Sequence, residues 1–178
     1  MKPAVFLDRD GTINVDKDYL YRIEDFEYLN GVEEALRQLE RSGFLLVIVT
    51  NQSGIARGYY TENDYRHLMD WMISDLSGKG IHIAGDYFCP HLPGAVVKKY
   101  DVECDCRKPK TGLYYRAAKE LDIDMDKSFS IGDKLRDLEI CRETGVKGIL
   151  IGDKNRDSGD HYHVCRNWKE ISEYFSRL

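Results

Sequence analysis

Short apolar runs alternate with longer segments of helical periodicity along most of the chain. Each run ends at a polar residue or a turn, which is typical of strands that a parallel sheet buries on both faces. The predicted strands cover residues 4–7, 44–50, 81–88, 128–131 and 146–151. Apolar residues recur at helical spacing between them, over residues 32–42, 61–76, 111–121 and 135–144. Thr61 is a candidate N-cap for the second of these helices.

Strands that alternate with helices predict a doubly wound α/β domain, a Rossmann-like fold with a parallel sheet. A last helix over residues 168–175 is expected to pack back on one face of the sheet. The polar segment 154–162 is expected to form a surface loop. The pattern therefore predicts a single domain over residues 1–178.

Composition excludes several classes of partner. The chain has 178 residues and a net charge of −5, so it predicts one domain without the basic surface that nucleic acids or anionic membranes attract. No apolar stretch approaches ~18 residues and the N-terminus is unlike a signal peptide, which predicts a cytoplasmic protein. Five cysteines fit reduced thiols better than a disulfide framework. Without a heptad pattern, a monomer is the default expectation.

Polar side chains follow three of the predicted strands. Asp8 and Asp10 come after the first strand, Thr50 and Asn51 end the second, and Asp133 follows the fourth. Open α/β sheets bind ligands at these carboxyl ends. An isolated Asp-x-Asp is most often a solvated turn. Here the other polar motifs are expected at the same edge of the sheet, which indicates a catalytic site. With an ordinary pKa, Asp8 is expected to be ionised and to attack a phosphorus, while Asp10 protonates the leaving oxygen and later activates water.

The carboxylates of Asp8, Asp10 and Asp133 form an oxygen-rich set that suits Mg²⁺. Two unit charges ~4 Å apart repel by about 4 kcal/mol at an effective dielectric constant of ~20, which hinders an anionic nucleophile from approaching a phosphate dianion. A magnesium ion between them lowers that barrier. Lys108, supported by Arg107 and Lys134, supplies positive charge for the phosphoryl oxygens.

A second metal site is predicted from cysteine and histidine. Three thiolates and an imidazole complete a tetrahedral zinc shell with no open position, so this site should be structural. Its candidate ligands are Cys89, His91, Cys104 and Cys106. A chance cluster of buried thiols and a disulfide are the alternatives. The loop 92–103 has no regular pattern and needs such a staple, which would also fix the backbone that presents Arg107 and Lys108.

These motifs resemble those of a known superfamily across nearly the whole chain. Asp8-Arg9-Asp10-Gly11-Thr12, Thr50, Lys108 and Gly132-Asp133 are similar, in order and spacing, to the four motifs of the haloacid dehalogenase-like phosphatases. Within this superfamily, the chain resembles the heptose bisphosphate phosphatase branch in four stretches. They are Thr50-Asn51-Gln52-Ser53-Gly54-Ile55-Ala56-Arg57-Gly58, Cys89-Pro90-His91, Cys104-Asp105-Cys106-Arg107-Lys108-Pro109 and Gly132-Asp133-Lys134-Leu135-Arg136-Asp137. The resemblance implies removal of a 7-phosphate, in a pathway that makes nucleotide-activated heptose for lipopolysaccharide or other surface glycans.

The resemblance also implies a role for each matching residue. Asp8 is the expected nucleophile, Asp10 the acid and base, and Thr50 and Lys108 stabilise the phosphoryl group. Magnesium is expected on Asp8, on the backbone carbonyl of Asp10 and on Asp133. The expected substrate contacts are Asp16, Lys17, Asp18, Tyr19, Asn51, Gln52, Ser53, Arg107 and Lys134. The first four lie in a short flap, and no large cap is expected over the site.

Three alternatives remain open at this stage. Histidinol-phosphate phosphatase is the nearest, because its phosphatase domain carries a similar zinc loop, although residues 53–58 favour the heptose branch. Polynucleotide 3′-phosphatases share Asp-x-Asp-Gly-Thr and Thr-Asn-Gln, but the acidic charge and the lack of a phosphate-binding kinase loop count against them. A zinc-stapled binding module without activity is the third. The intact set of Asp8, Asp10, Lys108 and Asp133 argues against it.

Overall fold

The computed structural model describes residues 1–152 and 159–178. In these residues six parallel strands form one sheet in the order β3-β2-β1-β4-β5-β6. The strands are β1 (Ala4–Leu7), β2 (Leu45–Asn51), β3 (Ile83–Cys89), β4 (Phe129–Gly132), β5 (Lys147–Ile151) and β6 (Tyr162–Cys165). The α-helices are α1 (Val32–Arg41), α2 (Glu62–Gly78), α3 (Gly112–Glu120), α4 (Ile140–Glu143) and α5 (Trp168–Phe175). Four 3-10 turns cover Ile23–Asp25, Lys98–Tyr100, Met125–Lys127 and Leu135–Leu138.

The order of the strands places a topological switch between β1 and β4. The chain runs from β1 outward through β2 and β3, then crosses to β4 on the other side of β1. The loops that leave β1 and β4 therefore diverge and leave a crevice at their carboxyl ends. The predicted doubly wound parallel sheet is confirmed.

Two apolar layers cover the sheet. Side chains of β1 alternate between them, because Val5 and Leu7 join the layer of α1, α2 and α5, while Ala4 and Phe6 join the layer of α3 and α4. All four residues of β1 are fully buried. Trp168 of α5 lies within the first layer, as expected for a last helix that packs back on the sheet. β1 is therefore the rigid centre from which the Asp8 loop departs.

Helix and strand boundaries agree with the sequence predictions to within one or two residues at most positions. The predicted cap at Thr61 is confirmed, since its hydroxyl accepts from Asp64 N at 3.1 Å and the Asp64 carboxylate accepts from Thr61 N at 2.7 Å. This reciprocal pair satisfies two backbone donors at the start of α2. The segments before α1 and between β3 and α3 contain one 3-10 turn each, so neither holds a folded cap. No α-helix in the described ranges has the length and apolar character needed to cross a membrane.

One prediction about the C-terminal half is wrong, and a second lies largely outside the described residues. The segment 135–144 is a 3-10 turn followed by the short α4, because Asp137 turns inward and its carboxylate accepts from Lys134 N at 3.0 Å. The expected surface loop 154–162 lies partly outside the described residues, and Tyr162 begins β6 instead. β6 lies at the edge of the described sheet and pairs with β5 in parallel. Its polar His163 weakens the apolar signal.

Candidate active site

A polar cavity of about 260 Å³ opens at the carboxyl ends of β1 and β2. Carboxylates, amides, hydroxyls and basic side chains line it, as expected for a site that binds a charged and hydroxylated ligand. The lining residues are Asp8, Asp10, Asp16, Asp18, Tyr19, Thr50, Asn51, Gln52, Ser53, Arg57, Tyr60, Arg107, Lys134 and Arg136. Most of the predicted site residues therefore share one cavity.

Lys108 lies beneath this cavity and is only 2% exposed. Its ammonium donates to Asp8 Oδ1 at 2.7 Å and to the Val49 carbonyl at 2.7 Å, and it lies 2.7 Å from Asp137 Oδ1. Two hydrogen bonds and one ion pair therefore hold the ammonium in place. Burial alone would lower the pKa of Lys108, but the carboxylates of Asp8 and Asp137 raise it overall, which keeps the side chain charged.

The backbone of Lys108 is held as firmly as its side chain. Asn51 Nδ2 donates to the Lys108 carbonyl and Asn51 Oδ1 accepts from Lys108 N, both at 3.0 Å. Asn51 ends β2, so a strand of the central sheet fixes the loop that carries Lys108. This double contact gives Asn51 a structural function in addition to its place in the cavity lining.

The carboxyl group of Asp8 is in an unusual electrostatic environment. Burial, together with the negative charges of Asp137 and Asp133, raises the pKa of Asp8 to about 7 against the lowering effect of Lys108. The pKa of Asp8 in the protein alone therefore lies above the ordinary value from which the sequence argument started. A further cation beside the carboxylate would favour its ionised, nucleophilic form.

Three carboxylates form the candidate cation site. Asp8, Asp133 and Asp137 each offer one oxygen, and these oxygens lie within 4.8 Å of one another. Asp133 Oδ1 is buried and accepts no hydrogen bond. Gly11 has φ +82°, and a Cβ there would lie 2.5 Å from Asp133 Oδ2, so only glycine lets the loop approach this closely. An unsatisfied buried oxygen among several carboxylates fits a hard cation such as Mg²⁺. Asp137 had no assigned role in the sequence prediction.

Asp10 is oriented by a network that the sequence did not reveal. Arg9 is fully buried and its Nη2 donates to both Asp10 oxygens at 2.9 Å and to the Leu20 carbonyl at 2.9 Å. Asn14 Nδ2 donates to Asp10 Oδ1 at 3.0 Å, and Gln52 Nε2 donates to Oδ2 at 3.1 Å. These donors hold the Asp10 carboxylate in one orientation in the cavity lining. A general acid and base must lie within hydrogen-bonding distance of the substrate, and this position allows it.

Gln52 connects Asp10 to Thr50. Its Nε2 also donates to Thr50 Oγ1 at 3.0 Å, and its Oε1 accepts from the Tyr60 hydroxyl at 2.5 Å. With its acceptor oxygen occupied by Tyr60, the amide must present its donors to Thr50 and Asp10. Gln52 therefore lines the cavity and positions two of its other residues.

The flap after Thr12 reaches the cavity with three of its four predicted residues. Asp16, Asp18 and Tyr19 line the cavity, whereas the Lys17 ammonium lies 3.2 Å from Glu27 Oε2 and is not part of the lining. The predicted substrate contact at Lys17 is therefore not supported. Sequence reasoning also missed Arg57, Tyr60 and Arg136, which line the cavity. Arg57 and Arg136 lie in stretches that resemble the heptose branch, but the resemblance assigned them no role, and Tyr60 lies outside those stretches.

The cysteine and histidine residues converge beside the cavity. The group consists of Cys89, His91, Cys104 and Cys106. Four pairs of their Sγ and Nδ1 atoms lie 3.1 to 3.7 Å apart. Tetrahedral zinc with Zn–S bonds of ~2.3 Å spaces its sulfur ligands about 3.8 Å apart, close to the separations observed. The four predicted residues therefore form one group whose donor set fits a zinc ion.

The cluster is joined to the cavity through the chain itself. Arg107 follows Cys106 directly, and its Nη1 donates to the His91 carbonyl at 3.3 Å. Lys108 comes next and enters the core at Asp8. Cys141 and Cys165 lie elsewhere, both buried in the apolar layers, as the sequence indicated.

A doubly wound sheet with Asp8 after β1, Thr50 at the end of β2, a buried lysine and two carboxylates after β4 defines a phosphatase of the haloacid dehalogenase-like superfamily. Residues 4–168 match the family model described as polynucleotide kinase 3 phosphatase. A D-glycero-beta-D-manno-heptose-1,7-bisphosphate 7-phosphatase of Photorhabdus laumondii is 51% identical over 77% of this chain and 73% of its own. A D-glycero-alpha-D-manno-heptose-1,7-bisphosphate 7-phosphatase of Campylobacter jejuni is 42% identical over 97% and 95%.

The crystal structure of D,D-heptose 1,7-bisphosphate phosphatase from B. bronchiseptica, complexed with magnesium and phosphate, is similar in fold. It superimposes with a TM-score of 0.84 at 29% identity and covers 99% of each chain. The chain thus belongs to the polynucleotide kinase 3 phosphatase family and, within it, to the heptose-1,7-bisphosphate 7-phosphatases.

Proposed function

We propose that the protein removes the 7-phosphate of D-glycero-D-manno-heptose 1,7-bisphosphate, leaving heptose 1-phosphate and inorganic phosphate. The observation that carries this proposal is the Asp8 carboxylate, which a buried lysine holds at 2.7 Å while it opens on a polar cavity. Relatives with this named activity are 42% to 51% identical. The product would serve the synthesis of ADP- or GDP-heptose for lipopolysaccharide core or other surface glycans.

The chemistry follows from the positions of the side chains. Asp8 attacks the phosphorus and forms an aspartyl phosphate, while Asp10 gives its proton to the departing sugar oxygen. Asp10 then accepts a proton from the water that attacks this intermediate, which releases phosphate and regenerates Asp8. Lys108 and Thr50 stabilise the charge on the transferring phosphoryl group. Mg²⁺ held by Asp8, Asp133 and the Asp10 carbonyl, with Asp137 beside them, would supply the positive charge that reduces repulsion.

Magnesium dependence is the first consequence that can be measured. We expect a chelator to abolish phosphate release and added Mg²⁺ to restore it, because burial and the charges of Asp137 and Asp133 disfavour the ionised form of Asp8. Asp133→Ala should raise the magnesium concentration needed for half-maximal activity, since it removes the buried oxygen that accepts no hydrogen bond. Full activity of the wild type in metal-stripped buffer would contradict this electrostatic argument.

We also propose that Cys89, His91, Cys104 and Cys106 bind one structural zinc ion. Their spacing supports this, and four protein ligands leave no position for substrate. We further propose that the protein acts as a cytoplasmic monomer without a nucleic-acid or membrane partner. The net charge of −5 and the reliance on reduced thiols support this proposal.

A comparison of substrates tests the proposed function against its rivals. The panel contains both anomers of heptose 1,7-bisphosphate, fructose 1,6-bisphosphate, histidinol phosphate and a 3′-phosphorylated oligonucleotide. The oligonucleotide is included because the matching family model carries a polynucleotide phosphatase description. We expect kcat/KM to be highest for a heptose anomer, with product analysis finding the 1-phosphate retained. A higher value for histidinol phosphate or the oligonucleotide would replace the proposal with that activity.

A further inference from the structure

Two arginines of the cavity lining, Arg57 and Arg136, form no salt bridge with any described residue. The other cations of the cavity have partners. Lys134 lies 3.5 Å from an Asp16 oxygen and 3.3 Å from an Asp133 oxygen, and Arg107 donates to a backbone carbonyl. An arginine that faces a ligand cavity without a carboxylate partner is available to bind an anion.

Arg57 is further distinguished by the aromatic support beneath its guanidinium. The guanidinium carbon lies 5.7 Å from the centroid of the Tyr19 ring. The Tyr19 ring in turn packs edge-on against Tyr59, with centroids 4.8 Å apart. A guanidinium stacked on an aromatic face keeps its N–H donors in the plane of the group, where they remain available to phosphate oxygens. The two tyrosines thus restrict Arg57 without using its hydrogen bonds.

The backbone that delivers Tyr19 is strained. Asp18 and Tyr19 have φ values of 50° and 60°, so two consecutive residues other than glycine occupy the left-handed region. This conformation is unfavourable for a bulky side chain and persists where other contacts enforce it, most often at functional sites. Here the flap lies beside the loop that carries Arg57, and both Tyr19 and Arg57 line the cavity. The strain is therefore tied to the position of the Tyr19 ring.

The reacting phosphate must meet Asp8 on the cavity floor under the proposed function. The Asp8 side chain is only 10% exposed, and Lys108 lies against it. Arg57 is exposed, as are the two tyrosines beside it, so it belongs to the mouth of the cavity. A sugar bisphosphate that presents one phosphate to Asp8 carries its second phosphate at the other end of the sugar. The mouth is where that second phosphate must be bound.

We propose that Arg57 binds the phosphate of the substrate that does not react, and that Tyr19 positions its guanidinium. This assignment rests on the proposed function and adds a residue that makes the site selective for bisphosphates over monophosphates. Arg57 contacts the substrate directly, whereas Tyr19 acts through Arg57. Tyr59 packs edge-on against the Tyr19 ring.

Kinetics on a matched pair of substrates test the assignment. Heptose 1,7-bisphosphate and heptose 7-phosphate share the reacting group and differ in the second phosphate. We expect Arg57→Ala to lower kcat/KM for the bisphosphate about 10- to 100-fold, mainly through KM, because one charge-assisted contact is lost. The value for the monophosphate should stay within about twofold of wild type. Tyr19→Leu should show the same selective loss, and Tyr19→Phe should restore the wild-type pattern.

Arg22→Ala is the matched control. Its guanidinium also stacks on a tyrosine of the flap, 5.6 Å from the Tyr21 centroid, but it does not line the cavity. Both substrates should be turned over by this variant as by the wild type. An equal loss on both substrates in Arg57→Ala, or a wild type that does not prefer the bisphosphate, would overturn the assignment. A wild type that hydrolyses neither compound would overturn the proposed function itself.

Discussion

Asp8→Asn is expected to lower phosphate release on the order of 10⁴-fold or more, because the amide cannot form an acyl phosphate. The change keeps the volume of the side chain and removes one charge. Lys108 retains its contacts with Asp137 and the Val49 carbonyl, so the ammonium is not left unpaired. Burial disfavours the ionised form of Asp8. The melting temperature should therefore be unchanged or higher, which separates loss of chemistry from loss of fold.

Asp25→Asn provides a control for the charge change, since this residue lies in the 3-10 turn of the flap and does not line the cavity. It should keep wild-type turnover. Mass spectrometry of the Asp8→Asn protein must find the asparagine intact, because deamidation would regenerate the nucleophile. Phosphate release close to wild type by the intact variant would rule out covalent catalysis by Asp8.

Cys104→Ser combined with Cys106→Ser is expected to release zinc, lower the melting temperature and reduce turnover on the order of 10²-fold. Without two of four ligands the metal cannot be retained, and the loop from His91 to residue 103 loses its staple. Arg107 and Lys108 directly follow this loop in the chain. Displacing a positioning group by ~1 Å is enough to lower the rate on the order of 10²-fold. Activity should stay above zero and should still need magnesium. Elemental analysis and thermal melts provide the measurements.

Cys141→Ser distinguishes the cluster from buried thiols in general. Cys141 is buried in the apolar layer of α3 and α4, and it is not a member of the cysteine and histidine group. Its replacement should lower stability while the protein keeps about one zinc per chain. A double cysteine variant with wild-type turnover and stability would show that the loop neither staples the fold nor orients Lys108.

The sequence predicted the sheet well because its central strands are short, apolar and buried on both faces. β1 was predicted with its true bounds, and the polar residues after β1, β2 and β4 were correctly expected to converge. β6 was missed because a four-residue edge strand with a central histidine lacks a continuous apolar run. The segment 135–144 has helical spacing, but Asp137 breaks that helix to reach Lys108. Such a long-range ion pair leaves no periodic signal.

Within the site, the sequence did not show which side chains contact the catalytic residues. The motif around Asp10 indicated its chemistry, but not that Arg9 is fully buried and bonded to both of its oxygens. A single arginine is usually a surface charge, so its burial could not be expected from composition. The pKa of Asp8 also could not be taken from its residue type, because burial raises it while Lys108 and Asp137 shift it in opposite directions. Contacts between residues far apart in the sequence therefore determine the burial and the pKa of these side chains, which the local sequence does not show.

The most direct test of the account is a search for the phosphorylated enzyme. Wild-type protein with Mg²⁺ is mixed with excess heptose 1,7-bisphosphate, quenched in acid within the first turnovers and digested for mass spectrometry. We expect a phosphoryl group on the peptide that contains Asp8, located on that residue, together with heptose 1-phosphate in the supernatant. Heptose 1-phosphate formed at the wild-type rate with Asp8 never phosphorylated, or phosphate removed from position 1, would contradict the account.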